Sequence, residues 1–197
     1  MREYLKTRPT EPLGTLVHFF RPLLADREGR GEEVHVLNQG DLQGVGYTRP
    51  CGGSTMRTER QGKMDPLLQP GDIVLAIRGT LGKVGMLPPD WQDEELWVAN
   101  QSCLVLRPAR RDVDARLVYL YLRSAIGQAA LQSLDCGAST PLVQLSDLKK
   151  MPVPVPSPEE AQAMLADFEK ELALCARMEE LRKEVDLLAG SHWSLNK

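Results

Sequence analysis

Catalysis needs nucleophiles, metal ligands or phosphate-binding loops at workable spacing, and this chain of 197 residues offers few of them. Cys51, Cys103, Cys136 and Cys175 lie far apart, with no Cys-x-x-Cys pair, and His18, His35 and His192 are equally scattered. A zinc site needs thiolates or imidazoles clustered at short spacing, so neither a metal centre nor a disulfide framework is expected. Gly79-Thr80-Leu81-Gly82-Lys83-Val84 has the outline of a phosphate loop. Its two deciding positions hold Ile77, where the first Gly should stand, and Val84, where a Ser or Thr should bind magnesium. Leu87-Pro88-Pro89-Asp90 lacks the Asp/Asn-Pro-Pro-aromatic signature of adenine-N6 methyltransferases, and Asp147-Leu148-Lys149 has no acidic partner to complete a nuclease triad. The sequence therefore predicts a non-catalytic chain without a cofactor.

The remaining chemistry is binding. The formal net charge of −3 argues against nucleic acid until its distribution is examined. From Ser157 onward five basic residues face nine acidic ones, whereas the rest of the chain carries 19 basic and 18 acidic residues. Within that neutral part, Arg49, Arg57, Arg60 and Lys63 are opposed by Glu59 alone. A basic loop on a near-neutral domain can attract phosphates. No apolar run reaches the length of a membrane span, and the first residues lack the apolar core of a secretory signal. A cytoplasmic protein without a membrane partner is the expectation.

The elements that would position these residues are α+β: a mixed α/β globular domain over 1–156, one long helix over 157–190, and a tail over 191–197. Thr15–Phe20 and Glu33–Leu37 have strand composition, with a polar, glycine-punctuated loop at Asp26–Gly31 between them. Asp72–Arg78 and Lys83–Leu87 flank a glycine turn and form a hairpin. Trp97–Ala99 and Ser102–Leu106 are further strands. Asp114 caps a helix containing Leu117, Val118, Leu120, Tyr121 and Leu122, and a second helix is expected over Gln128–Leu134. Met151-Pro152-Val153-Pro154-Val155-Pro156 must be extended, because each proline forces its predecessor out of helical conformation.

Ser157-Pro158-Glu159-Glu160 then supplies an N-cap, a proline at the first helical position and the glutamate of a capping box. Apolar residues follow at Ala161, Leu165, Phe168, Leu172, Cys175, Met178, Leu181, Val185 and Leu188, spaced 4, 3, 4, 3, 3, 3, 4, 3. That is a heptad seam with a stammer near Met178.

Three stretches in this order resemble the target recognition domains of type I restriction–modification specificity subunits. They are Leu68–Gly85 with Val98-Ala99-Asn100-Gln101, then Leu117–Ser124, then Val143–Pro156 leading straight into the long helix. Two departures stand out. Glu160 is followed by Ala161 rather than by Gln, and the chain carries one recognition domain and one helix where the family carries two of each.

The resemblance implies sequence-specific reading of double-stranded DNA for an adenine-N6 methyltransferase subunit, with a restriction or translocase subunit as a further partner. It also implies two antiparallel helices separating two recognition domains, which a one-domain chain reproduces as a homodimer. The resulting dimerisation residues are Leu165, Phe168, Leu172, Met178, Leu181, Val185 and Leu188. Candidate DNA contacts lie on loops: Arg49, Ser54, Thr55, Arg57, Arg60 and Lys63, then Arg78, Thr80 and Lys83, then Ser139 and Thr140. Arg suits guanine edges and phosphates, while Ser and Thr suit either. Asn100 and Gln101 read as residues that hold the fold. The alternative is a protein-binding adaptor that dimerises through its helix and touches no DNA.

Overall fold

A computed structural model describes residues 7–59 and 66–190. Its centre is a four-stranded antiparallel sheet in the order β2 (Val17–Phe20), β8 (Cys103–Pro108), β5 (Ile73–Ala76), β6 (Val84–Met86). The apolar run Ile73-Val74-Leu75-Ala76 does not alternate with polar residues, because both faces of this sheet are covered. Ile73 and Leu75 join one core with Leu104, Leu106, Val118, Tyr119 and Leu131. Val74 and Ala76 join a second core with Leu37, Leu42, Trp97, Ala99 and Val105. The first core is roofed by α2 (Ala115–Arg123), α3 (Ala125–Gln132) and α4 (Leu145–Lys150). The second lies against a three-stranded sheet in the order β4 (Thr55–Thr58), β3 (Glu32–Leu37), β7 (Trp97–Ala99). In that sheet β3 runs antiparallel to β4 and parallel to β7.

The short strand β1 (Thr10–Pro12) pairs with β9 (Pro152–Pro154), stitching the start of the domain to the segment that leads into the long helix. The prolines sit on this two-stranded ribbon, where their missing N–H groups cost least. One difference from the sequence reading follows at once. Leu13–Leu16 is a helical turn, α1, and only Val17 onward is strand. Leu13 and Leu16, three residues apart, are both buried, so burial overrides the β-composition of the segment. The second predicted helix also begins earlier, at Ala125, because the Ser124 hydroxyl accepts the Gly127 N–H at 3.1 Å while the Ser124 N–H closes α2 onto Leu120 and Tyr121. Asp114 caps α2 as expected, accepting the Arg116 N–H at 2.9 Å.

The long helix α5 (Pro158–Gly190) is continuous over 33 residues, a rod of about 50 Å. Its capping box is closed: the Glu160 N–H reaches the Ser157 hydroxyl at 3.2 Å, and the Ser157 N–H reaches the Glu160 carboxylate at 3.0 Å. The first half of the rod is part of the globule. Phe168, only 1% exposed, meets the Tyr47 ring edge-on at 5.4 Å and the Tyr119 ring at 5.9 Å. Glu171 accepts the Gly46 N–H at 2.8 Å and forms a two-pronged pair with Arg123, whose Nη1 lies 2.6 Å from Oε1. Arg123 beside it holds the Glu171 carboxyl below its usual range. Gly46 sits at φ +65°, a conformation that L side chains rarely adopt, and a Cβ there would lie 3.0 Å from the Cys175 sulfur, which would have to shift. Every residue from Ala176 to Ala189 is exposed.

The dimerisation set is therefore corrected in part. Phe168 is a core residue of its own domain, Leu172 packs half-buried against that core, and Leu165 is half-buried. Only Met178, Leu181, Val185 and Leu188 of that set are exposed.

Candidate nucleic-acid interface

One end of the central sheet gathers four polar loops, and backbone hydrogen bonds hold them in place. The β5–β6 hairpin turns at Gly79 and Gly82, both at positive φ. It is pinned on one side by Gln39, whose side chain donates to the Arg78 carbonyl at 2.6 Å and accepts the Thr80 N–H at 3.4 Å. On the other side the Gly79 N–H donates to the Pro141 carbonyl at 3.0 Å. The turn before β8 joins them, because the Ser102 carbonyl accepts from Ile77 at 2.9 Å and from Arg78 at 3.3 Å. Asn100 links this turn to β3: its side-chain amide donates to Asn38 at 3.0 Å, and its own carbonyl oxygen accepts the Ser102 N–H at 2.9 Å. Asn100 thus builds the platform, in keeping with its structural reading from the sequence; Gln101 is exposed on the same turn.

The loop carrying Ser139 and Thr140 is clamped at its base by Asp135. One carboxylate oxygen accepts both the Gly137 and the Leu142 N–H groups, each at 2.9 Å. These bonds, led by the one from Leu142, hold the Asp135 carboxyl below its usual range. Ser139 and Thr140 project as exposed residues beside Pro141, and therefore beside the Arg78–Thr80 turn.

The structure thus brings Arg78, Thr80, Ser139 and Thr140 together. Lys83 belongs to the same end but is half-buried, and its ammonium group lies 3.1 Å from the Gly40 carbonyl, so it braces the neighbouring turn. Ser54 and Thr55 join the cluster through β3. The Val36 N–H donates to the Ser54 carbonyl at 2.8 Å, one residue before β3 runs out into Leu37 and the Asn38–Asp41 turn. Arg57 lies two residues further back along β4, about 7 Å at the usual strand rise, opposite Glu33. Arg49 is exposed one residue after Thr48, whose N–H is bonded to Met86 at the far end of the hairpin, so Arg49 stands apart from the cluster. Arg60 and Lys63 lie outside the described residues. Among the described residues the side chains of Arg49, Arg57 and Arg78 have no ion-pair or hydrogen-bond partner. By contrast, Arg30 is tied to Asp26, Glu28 and Glu59.

Two residues that shape this end were not singled out from the sequence. Gln39 sits in a polar turn, and only its placement opposite the hairpin reveals its role. Asp135 carried a readable signal, an aspartate two residues before a glycine in a turn. At the opposite end of β5 from these loops, Asp72 is fully buried and receives both prongs of Arg107, each at 2.7 Å, with the Gln69 N–H at 2.8 Å. Burial pushes the Asp72 carboxyl up, and Arg107 opposes that shift. Arg107 also lies 4.5 Å over the Phe20 ring, so one guanidinium ties β8 to β5 and β2. Among the described residues no group of three or more His, Cys, Asp or Glu could hold a metal ion, and no helix is long and apolar enough to cross a membrane.

The family model described as the type I restriction modification DNA specificity domain matches residues 31–185. The chain belongs to that family. The matched model is that of a DNA specificity domain, and it covers most of the described globule together with the greater part of α5. Solved structures agree on the fold. The S subunit of a type I restriction–modification system from M. genitalium matches at 18% identity and TM-score 0.54, over 95% of this chain and 49% of that one. A chain from a structure concerned with complex assembly and conformational transition of the type I R-M system matches at 14% identity and TM-score 0.61, over 93% and 46%. The HsdS subunit from Thermoanaerobacter tengcongensis matches at 16% identity and TM-score 0.57, over 88% and 39%. This specificity domain therefore spans at most about half the length of those three chains. Among curated proteins none matches.

Proposed function

We propose that this chain reads one half of a bipartite duplex DNA site as the specificity component of a restriction–modification complex, on behalf of an adenine-N6 methyltransferase subunit. The observation that carries the proposal is the loop cluster at one end of the central sheet. There the unpaired cation Arg78 stands beside Thr80, Ser139 and Thr140, with Ser54, Thr55 and Arg57 along the adjoining strand. A rigid platform holding free cations among hydroxyls suits phosphate contact and base-edge reading together. Arg60 and Lys63 add charge shortly after Arg57 in the sequence. The exposed far half of α5 supports pairing with a second copy. A two-fold axis would then present identical domains to opposite strands, so the target would be an interrupted palindrome.

The test is electrostatic. Replacing Arg57, Arg60 and Lys63 with Ala is expected to weaken duplex binding at least tenfold. It should also lower the slope of log K against log salt by about 0.9 for each phosphate no longer neutralised. Arg78→Ala, measured alongside, should weaken binding with a change in sequence preference if Arg78 reads a base edge. An unchanged affinity and slope in the triple variant would move the phosphate-binding role to the hairpin turn. Unchanged binding in both variants would contradict this interface.

A further inference from the structure

Three turns at the loop-bearing end of the central sheet are tied to one another in a closed ring. The Asn38–Asp41 turn meets the β5–β6 hairpin through Gln39, whose amide serves the Arg78 carbonyl and the Thr80 N–H. The hairpin meets the turn before β8 through the Ser102 carbonyl, which accepts from Ile77 and Arg78. The third link runs from the Asn100 side chain back to Asn38 at 3.0 Å. Within the turn before β8, the Cys103 N–H closes onto the Asn100 carbonyl at 2.8 Å, and the Asn100 N–H is held by Leu37 at 2.9 Å. Gln101 and Ser102 are therefore the two central residues of a β-turn, and Gln101 is exposed at its tip.

Four amide side chains sit on this ring, and three of them build it. Asn38 and Asn100 bond each other, and Gln39 bonds the hairpin. Gln101 makes no hydrogen bond. Its donor and its acceptor are both free, one residue from the carbonyl that holds the Arg78 N–H. The sequence reading grouped Asn100 and Gln101 as residues that hold the fold, and the structure divides them.

We propose that Gln101 is a specificity-determining residue that recognises an adenine edge in the duplex, beside the position met by Arg78. This rests on the DNA-reading function given above and adds a residue to it. The chemistry is that of a planar amide, which presents a donor and an acceptor together and pairs with adenine N6 and N7 at once. Among the loop candidates Arg and Lys only donate, and a Ser or Thr hydroxyl is a single atom, so none offers that pattern. A neutral amide releases no counterions, so its worth to a DNA-binding surface lies in discrimination rather than attraction. Discrimination also needs a fixed register. The ring supplies it, because backbone bonds of 2.9 and 3.3 Å lock the Gln101 turn to Ile77 and Arg78. Arginine suits guanine O6 and N7, so adjoining turns would present a guanine reader and an adenine reader side by side.

Affinities for the duplex motif that the wild-type chain selects, and for each of its single-base-pair variants, test this. Gln101→Ala is expected to lose discrimination of about fivefold or more at one adenine-containing position, keeping the preferences elsewhere. The slope of log K against log salt and the melting temperature should stay as in wild type, since neither a charge nor a bond of the fold is lost. Gln101→Glu, which can only accept, should move the preference at that same position from adenine towards cytosine, whose N4 amine donates. A role in holding the fold would produce no such change of base. Preferences unchanged at every position in Gln101→Ala, or affinity lowered equally for all duplexes, would overturn the assignment and leave the DNA-reading function standing. A wild-type chain that selects no motif would overturn both.

Discussion

Arg107→Met is expected to cost about 3–5 kcal/mol of stability, the range found when one member of a buried ion pair is removed. The Asp72 side chain is wholly buried, whereas the Arg107 side chain is 22% exposed, so the loss falls on the carboxylate. Without the guanidinium, Asp72 keeps one backbone N–H donor from Gln69, and burial drives it towards the protonated form. The damage would spread, because Arg107 also reaches the Leu67 carbonyl at 3.1 Å and stacks on Phe20. Urea unfolding of the two single variants and of the Asp72→Leu, Arg107→Met pair would measure this. The double variant is expected to be more stable than Arg107→Met alone, since removing both charges removes the stranded one. A loss below about 1 kcal/mol for Arg107→Met, smaller than a typical hydrogen bond to a charged group, would refute the reading of Asp72 as a carboxylate that Arg107 compensates.

Phe168→Ala is expected to cost a similar amount, about 3–5 kcal/mol for deleting a fully buried aromatic ring. Its character should differ. Phe168 fills the space between Tyr47 and Tyr119, and the neighbouring Arg123–Glu171 pair closes the helix onto Gly46. Loss of the ring should loosen α5 from the globule before the sheets unfold. Hydrogen exchange would then show the Gly46 amide, which Glu171 holds in the native fold, losing protection at milder denaturant than the amides of β5 and β8. Simultaneous loss of protection everywhere would show that helix and domain form one cooperative unit. No measurable destabilisation would contradict the docked helix itself.

How much of this was legible in the sequence depended on whether a residue's partner lies nearby in the chain. The Ser157–Glu160 capping box, the Asp114 cap, the β5–β6 hairpin and the extended proline run are local devices, and the structure has all four. The helical turn at Leu13–Leu16 was missed because it is imposed by burial against α4, whose sequence lies more than a hundred residues away. Parallel pairing of β3 with β7 was equally hidden, since His35↔Trp97 and Leu37↔Ala99 pair across some sixty residues.

The heptad spacing was visible, but it could not show which apolar residues its own domain would cover. That ambiguity placed Phe168 at a partner interface, when Tyr47 and Tyr119 already surround it. The candidate site followed the same rule. Arg57 and Arg78 could be picked out as loop and hairpin cations, and their freedom from partners came only with the structure. The bracing role of Lys83 could not be read at all, because Gly40 lies more than forty residues upstream.

The central claim is that the loops around Arg78, Thr80, Ser139 and Thr140, with those along β4, read duplex sequence. Selection of bound duplexes from a random-sequence pool, followed by sequencing, tests it most directly. The expected result is enrichment of one defined motif, with two inverted half-sites separated by a fixed unread spacer, and loss or alteration of that motif with Arg78→Ala. A pool that stays flat while the chain still binds duplex in a salt-dependent way, or no binding at all, would contradict it.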